Sequence, residues 1–554
     1  MKTKVLLMAF FGMISSVFAN NINVTNATIT NRDTSTHTAK INFDVSWENS
    51  WRTTTNENNY DGAWIFVKYQ INGTGAWRHC TLKTSGFTAD GDSEIKVAPI
   101  ETDNTRGKGA FIYRNVTSIG IGNISFTGNQ LVWDYAIDGV LDNATVQIKV
   151  FAIEMVYIPA PTGARCFFGD GDGSKESLNA LHYADNLATN NSVLPISCDA
   201  NGFDDSELEA DGIYIYSNDT LQTTNPIGAL EPFPTMKALW CMKYEINQAG
   251  YRDFLNTLDS LQQVNRIVNA PTSAVGTSAF TVGGINNRNF IEVAIPASLN
   301  NAAVFGCDAN GNNIFDEAAD GEWIACNFLG WPDVAAYLDW SGLAPMSELQ
   351  FERICRGNSS AGGNAAVYGE YAWGNNLIFA NPYTLTGGAT ASETASNASA
   401  IAGNAIYNLT TSSSPLRSGV FATPTSNRTT SGSTYYGVME MSGNLPEYCI
   451  TLGSLAGRSC HYIPNGNGFL SNLGNAQLSV GGAGFWPGME GNLNPAVANT
   501  CSGTCEVTSA AGIRFRGGSI TDPASSLSVS DRGTVFTPTA RANNRGGRGV
   551  LYIR

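Results

Sequence analysis

Ala63-Trp-Ile-Phe-Val-Lys-Tyr69 decides how the first part of this chain folds. Aromatic and β-branched residues follow one another without a polar alternate until Lys68. Such a run predicts a strand buried more fully than its neighbours. On either side, Ile41-Asn-Phe-Asp-Val-Ser-Trp47 and Val146-Gln-Ile-Lys-Val-Phe151 alternate with period two, the mark of strands with one covered face. Asn72-Gly73 and Asp90-Gly91 supply turns between such strands. Residues 20–152 therefore read as an all-β sandwich of immunoglobulin or fibronectin type. No chemical cluster lies within it, so its expected role is spacing or docking.

Upstream, Lys2 and Lys4 precede an apolar run from Val5 to Phe18, and Val17-Phe18-Ala19 offers small residues for cleavage. That pattern predicts a signal peptide over residues 1–19, cut after Ala19, and hence a secreted, periplasmic or cell-surface protein. The run is too short for a comfortable span, and nothing downstream is apolar for longer, so no membrane span is expected. A net charge of −15 argues against nucleic acid and anionic lipid as partners. The 11 cysteines are an odd number, which leaves at least one thiol outside intrachain pairs. Cys501 with Cys505, or Cys449 with Cys460, could close loops. The 4 histidines (His37, His79, His182, His461) form no zinc pattern.

Downstream, from Glu154-Met-Val-Tyr-Ile-Pro-Ala160, strands shorten and helices enter. Tyr251, Phe254, Leu255 and Leu258 share one helical face. A second helix begins near Pro332, carries Val334, Tyr337 and Leu338, and stops at Gly342. A third opens on Ser347 with Gln350 three residues later, buries Phe351, Ile354 and Cys355, and ends at Gly357. Few helices among irregular connections give an α+β expectation for residues 153–554. Residues 376–435, rich in small and polar side chains, read as surface loops.

Three constellations carry chemistry. Asp308, Asn310, Asn312 and Asp316 place oxygens at alternate positions, a spacing suited to calcium, although the EF-hand pattern is met only partly and a solvated loop fits nearly as well. Cys198-Asp-Ala-Asn-Gly202 repeats the start of that loop more weakly. In Met439-Glu-Met-Ser-Gly-Asn-Leu-Pro-Glu-Tyr448, two carboxylates flank a tight turn, a clamp for a cation or simply a pair of surface acids. Finally, the chain from Arg514 onward holds seven arginines and no lysine. Arginine forks commonly pair with carboxylates, so internal ion pairs are the first reading and an anionic-ligand pocket near Arg532, Arg545 and Trp486 the second. No nucleophile elbow, phosphate loop or His-Glu-x-x-His is present.

Taken in order, several segments resemble the formylglycine-generating enzyme (sulfatase-modifying factor) family. They are Glu154-Met-Val-Tyr-Ile-Pro-Ala160, Met242-Lys-Tyr-Glu-Ile-Asn-Gln248, Cys326-Asn-Phe-Leu-Gly-Trp-Pro332, Leu343-Ala-Pro-Met-Ser-Glu-Leu-Gln350, Tyr371-Ala-Trp-Gly-Asn375, Gly437-Val-Met-Glu440 with its turn to Glu447, and Arg516-Gly-Gly-Ser519. The resemblance implies a C-type-lectin-like variant fold with many loops. It also implies a structural calcium held by Glu440, Gly443, Leu445 and Glu447. The family's two catalytic cysteine positions fall on Asp522 and Leu527, which can neither hold copper nor exchange with a substrate thiol, so copper is not expected. The leading expectation is a non-catalytic binding or assembly module with a protein or glycan partner. The alternatives are a copper-dependent oxidase making formylglycine from a sulfatase cysteine, and a lectin-like receptor.

Overall fold

The computed structural model describes residues 21–100, 102–116, 120–160, short strands between 166 and 221, and residues 237–281, 287–357, 366–380, 382–409, 414–458, 460, 463–478, 485–489, 503–533 and 539–553. The expected signal peptide lies outside the described residues.

Nine strands come first: β1 (Asn23–Asp33), β2 (Thr38–Ser50), β3 (Asp61–Ile71), β4 (Arg78–His79), β5 (Leu82–Lys83), β6 (Ser93–Ile100), β7 (Asp103–Arg114), β8 (Gly122–Asp134) and β9 (Val146–Ile158). They hydrogen-bond in the order β1-β2-β8-β5-β7-β3-β9, with β4 beside β3 and β6 beside β7. The tiny β5 bridges the two layers, since Leu82 pairs with both Gly107 of β7 and Trp133 of β8. Beyond β9 the same sheet accepts the strand Leu239–Met242 and then Val550–Tyr552, close to the end of the chain.

This sheet corrects the fold class. Strand outweighs helix, 33% against 11%, so the chain is mainly β and not α+β. The helices read from sequence exist, at Gln248–Leu255, Trp331–Ser341 and Glu348–Arg356, but they are short. Their local signals behave as expected. Ser347 accepts from the Gln350 N–H while the Gln350 side chain accepts from the Ser347 N–H, and Gly342 ends its helix at φ 76°. What the pattern of helices concealed is that strands from both ends of the chain join one antiparallel sheet.

Strand β3 explains how. Its odd residues, Ala63, Ile65, Val67 and Tyr69, pack with Ile41, Phe43, Val45 and Trp47 of β2. Its even residues, Trp64 and Phe66, face the opposite way and enter a second core with Trp240 and Trp340. The Phe66 and Trp340 rings meet edge to face at 4.9 Å, and the Trp64 indole N–H donates to the Ser341 carbonyl at 2.7 Å. A period-two chain with both faces covered needs apolar residues at every position, which is what residues 63–67 provide. The expected boundary between residues 152 and 153 falls inside β9, which pairs with β3 from residue 146 to residue 156.

Among the described residues, no helix is long and apolar enough to cross a membrane. Cys449 and Cys460, considered as a bridge, are separate buried thiols, and Cys501 lies outside the described residues. The segment read as surface loops is partly interior: Leu416, Val420 and Phe421 pack on Ile406 and Ile520.

Candidate functional site

The turn at residues 440–447 is built from backbone that few side chains tolerate. Glu440, Gly443 and Asn444 all take positive φ, at 54°, 89° and 61°. At Gly443 a Cβ would lie 2.6 Å from the Ile406 carbonyl, so glycine is required. The Gly443 N–H donates to the Gly517 carbonyl at 2.8 Å, and the strand Glu447–Ile450 pairs with Ile513–Arg516, so the turn and Arg516-Gly-Gly-Ser519 form one unit.

Three carboxylates meet here. Glu245 accepts from the Leu445 N–H at 2.8 Å and from the Asn444 amide at 2.6 Å, which pins the turn. Glu440 accepts from the Gly419 N–H at 2.6 Å. Glu447 accepts from Nε of Arg548 at 2.9 Å, while the rest of that guanidinium donates to the carbonyls of Met439, Met242 and Lys243. Glu440 Oε2 and Glu447 Oε2 are buried with no hydrogen-bond partner. Burial pushes both carboxyls up to about 7, against the pull of Arg548, and pushes Glu245 well above its ordinary value, with Glu440 adding to the rise. Three acids, with Arg548 bonded to Glu447 and Arg417 acting on Glu440, leave an excess of buried negative charge. Such a site either holds protons or welcomes a cation.

The donor chemistry suits calcium: hard oxygens, two of them unpartnered, beside a turn rich in carbonyls. Gly517 adds room, since a Cβ there would lie 2.6 Å from Glu447 Oε2 and 2.9 Å from the Met441 carbonyl. Among the described residues no group of three or more His, Cys, Asp or Glu is set to hold a metal. A cation at this turn would therefore draw on Glu440 and Glu447 together with the main-chain oxygens of Gly443 and Leu445.

The loop at residues 308–316 is arranged differently. Asp308 accepts from the N–H groups of Gly311, Asn312 and Asn313, Asn310 from that of Asn312, and Asn312 from that of Ile314. Asp316 turns to Arg252 at 2.6 Å and to the Cys307 N–H. Alternate oxygens thus close local turns with main-chain N–H groups.

The arginines follow the carboxylates. Arg532 is fully buried and grips Glu348 through two nitrogens at 3.0 and 2.7 Å. Arg516 reaches Glu352 at 2.7 Å, and Arg541 holds Asp333 through two nitrogens. Burial opposes the Glu348 charge, yet Arg532 and Arg516 outweigh it and hold that carboxyl down to about 2. Trp486, read as a pocket wall, is fully buried, and its indole donates to the Pro464 carbonyl at 2.9 Å. Arg545 lies over the Phe515 ring and lines a small cleft with Ser519, Asp522 and Asn544.

At the two positions that the resemblance assigns to catalytic cysteines, Asp522 closes its own turn by accepting from the Ser519 N–H and hydroxyl at 2.8 and 2.7 Å. Leu527 is fully buried, with its carbonyl held by the Ser442 hydroxyl at 2.8 Å. The free thiols of Cys80, Cys241, Cys307, Cys326, Cys355, Cys449 and Cys460 are all buried. Burial raises each of these thiols, Cys241 to about 12, so none is a ready thiolate.

Sequence reasoning missed Glu245 and Arg548 as members of the turn's charge cluster. Glu245 stood inside a quoted segment and Arg548 among the seven C-terminal arginines, but their partners lie 200 and 101 residues away, and no local pattern reports such a distance. Comparison with protein families finds no match for this chain, and comparison with curated proteins finds none.

Proposed function

We propose that this chain is an exported, non-catalytic relative of the formylglycine-generating enzymes that serves as a binding or assembly module for a protein or glycan partner. The observation carrying this reading is the occupation of the two cysteine positions. One holds a carboxylate that closes a turn, the other a leucine packed beneath the 440–447 turn. Thiolate chemistry needs an exposed, ionisable sulfur, and every free cysteine among the described residues is buried with its ionisation disfavoured. Without a reactive sulfur at those positions, what the fold offers a partner is shape and surface, which are the means of binding. Calcium at the Glu440–Glu447 turn is the structural cofactor of this proposal, neutralising the buried acids.

Two measurements test it. Incubated with copper and a Cys-x-Pro-x-Arg peptide, the purified chain should form no aldehyde; formation of formylglycine would overturn the proposal. Saturating calcium should stabilise the chelator-treated protein, by about 2.7 kcal/mol at a hundredfold excess over Kd. The Glu447→Gln variant should lose that response.

A further inference from the structure

Three ionisable side chains meet on one face of the sheet where the two parts of the chain join. Glu154 of β9 stands opposite Ala63 of β3, and Asp61, two residues earlier in β3, shares that face. On the other side of β9, the Lys243 N–H donates to the Glu154 carbonyl at 2.9 Å, one rung beyond the pairing of Met242 with Met155. The charged ends converge: Lys243 Nζ lies 3.2 Å from Asp61 Oδ2 and 3.0 Å from Glu154 Oε2. All three side chains are buried, with exposures of 4%, 0% and 2% in that order. Nζ also lies 5.0 Å from the centre of the Trp51 ring and 5.4 Å from that of Tyr244.

A buried ion pair needs one acid, and here there are two in different settings. Asp61 Oδ1 accepts from the Ser50 hydroxyl at 2.7 Å and the Trp51 N–H at 3.1 Å, and Oδ2 from the Trp47 indole at 3.0 Å. These donors draw electrons from the carboxyl carbon and are placed to hold negative charge gathering on Oδ1. Glu154 Oε1, by contrast, is buried with no hydrogen-bond partner. Burial lifts the Glu154 carboxyl to about 7, against the pull of Lys243 and with Asp61 adding to the rise, so it can take up and return a proton near neutrality. Burial also opposes the Lys243 charge, but Tyr244, Glu154 and Asp61 outweigh it and hold the amine protonated. A proton must therefore leave Nζ before that nitrogen can act as a nucleophile, and Glu154 is the acid in contact to receive it.

We propose that Lys243 and Asp61 join in an intramolecular amide bond, with Glu154 relaying the protons. Glu154 first carries a proton from Nζ to Asp61 Oδ2, which leaves a neutral amine beside a neutral acid. The Nζ lone pair then bonds to Asp61 Cγ, and the displaced electron pair settles on Oδ1, held by Ser50 and Trp51. Glu154 carries a second proton from Nζ to Oδ2, the Cγ–Oδ2 bond breaks, and Oδ2 leaves as water. Ammonium and carboxylate have become amide and water; nothing is oxidised or reduced, and Glu154 is regenerated. Two features favour the step. It removes a pair of buried charges, whose desolvation is costly. Folding also holds amine and acid in contact, which replaces a bimolecular encounter. The bond ties the start of β3 to the segment after Met242, so it fastens the two parts to each other and restricts the unfolded chain as other cross-links do.

The test is mass spectrometry of the full chain, held folded at neutral pH and then denatured, reduced and digested with trypsin. Residues 53–68 should appear joined to residues 238–252, uncut after Lys243 and lighter by one water than the two peptides together. Lys243→Arg keeps a positive charge but supplies no amine; it should give the two regions as separate peptides, and its denatured chain should migrate differently on a gel from the looped wild type. Glu154→Gln keeps both reacting groups and should slow the appearance of the joined peptide about a hundredfold. If either variant fails to fold, the wild-type digest still decides. Separate peptides from the wild type, with cleavage after Lys243, overturn the proposal. A joined peptide that forms equally fast in Glu154→Gln overturns the relay.

Discussion

The two parts of this molecule, residues 21–158 and 237–553, reach stability by different means. The first is a strand ladder whose apolar residues fall on alternate positions, with a core of Trp47, Trp133, Tyr69 and aliphatic neighbours. Its ion pairs are mostly peripheral, as where Arg106 meets Asp103 and Asp134. The second has short elements and long connections, and it buries whole ion pairs: Arg516, Arg532 and Arg548 lie fully inside with Glu348, Glu352 and Glu447. A region that lacks long ladders must fix its loops by discrete bonds. Arginine suits this because one fork ties several segments at once.

The contrast is broken most severely at Arg516. Arg516→Ala leaves Glu352 and Glu348 buried with less compensation and should cost about 3–5 kcal/mol, read by urea unfolding. Arg106→Ala, the matching deletion in the first part, should leave the curve nearly unchanged. Equal losses would refute the distinction. Next is the shared wall: Phe66→Ala, on the β3 face that packs against Trp340, should cost about 3 kcal/mol and lower the melting of both parts together. A melt that resolves into two transitions would show instead that they fold separately. Ser347→Ala removes a cap and should cost about 1 kcal/mol.

The smallest effect is a pH slope at the junction. Glu154 bonds Lys243 at 3.0 Å, and burial lifts its carboxyl from 4.5 to about 7 although Lys243 pulls it down. Between those values the folded chain keeps a proton that the unfolded chain has released. This group's contribution is therefore full below about 4.5 and is lost as pH rises through about 7. Glu154→Gln should shrink the fall in Tm between pH 5 and pH 8, and an unchanged slope would exclude Glu154 as its source.

The same contrast governs what could be read in advance. Alternation in β2 and β9, the unbroken run in β3 and the Ser347–Gln350 box are local signals, and each corresponds to an element of the structure. The helix Ser260–Arg266 was missed although Asp259 and Gln262 form the same kind of box. The mainly β class was not legible, because Leu239–Met242 and Val550–Tyr552 are too short to show a period, and their pairing joins residues more than 300 apart. At the 440–447 turn the acids themselves could be listed from sequence. Their burial, the role of Glu245 and the grip of Arg548 depend on contacts across the whole chain.

The buried thiols set a condition on the protein's lifetime. While the chain stays folded, these seven thiols are sealed from oxidants and disulfide partners. Each full opening in an oxidising medium exposes at least seven thiols at once, free to cross-link in arrangements that bar the way back. Durability then depends on how seldom the molecule opens, and a barrier to unfolding protects it better than a deep equilibrium minimum does.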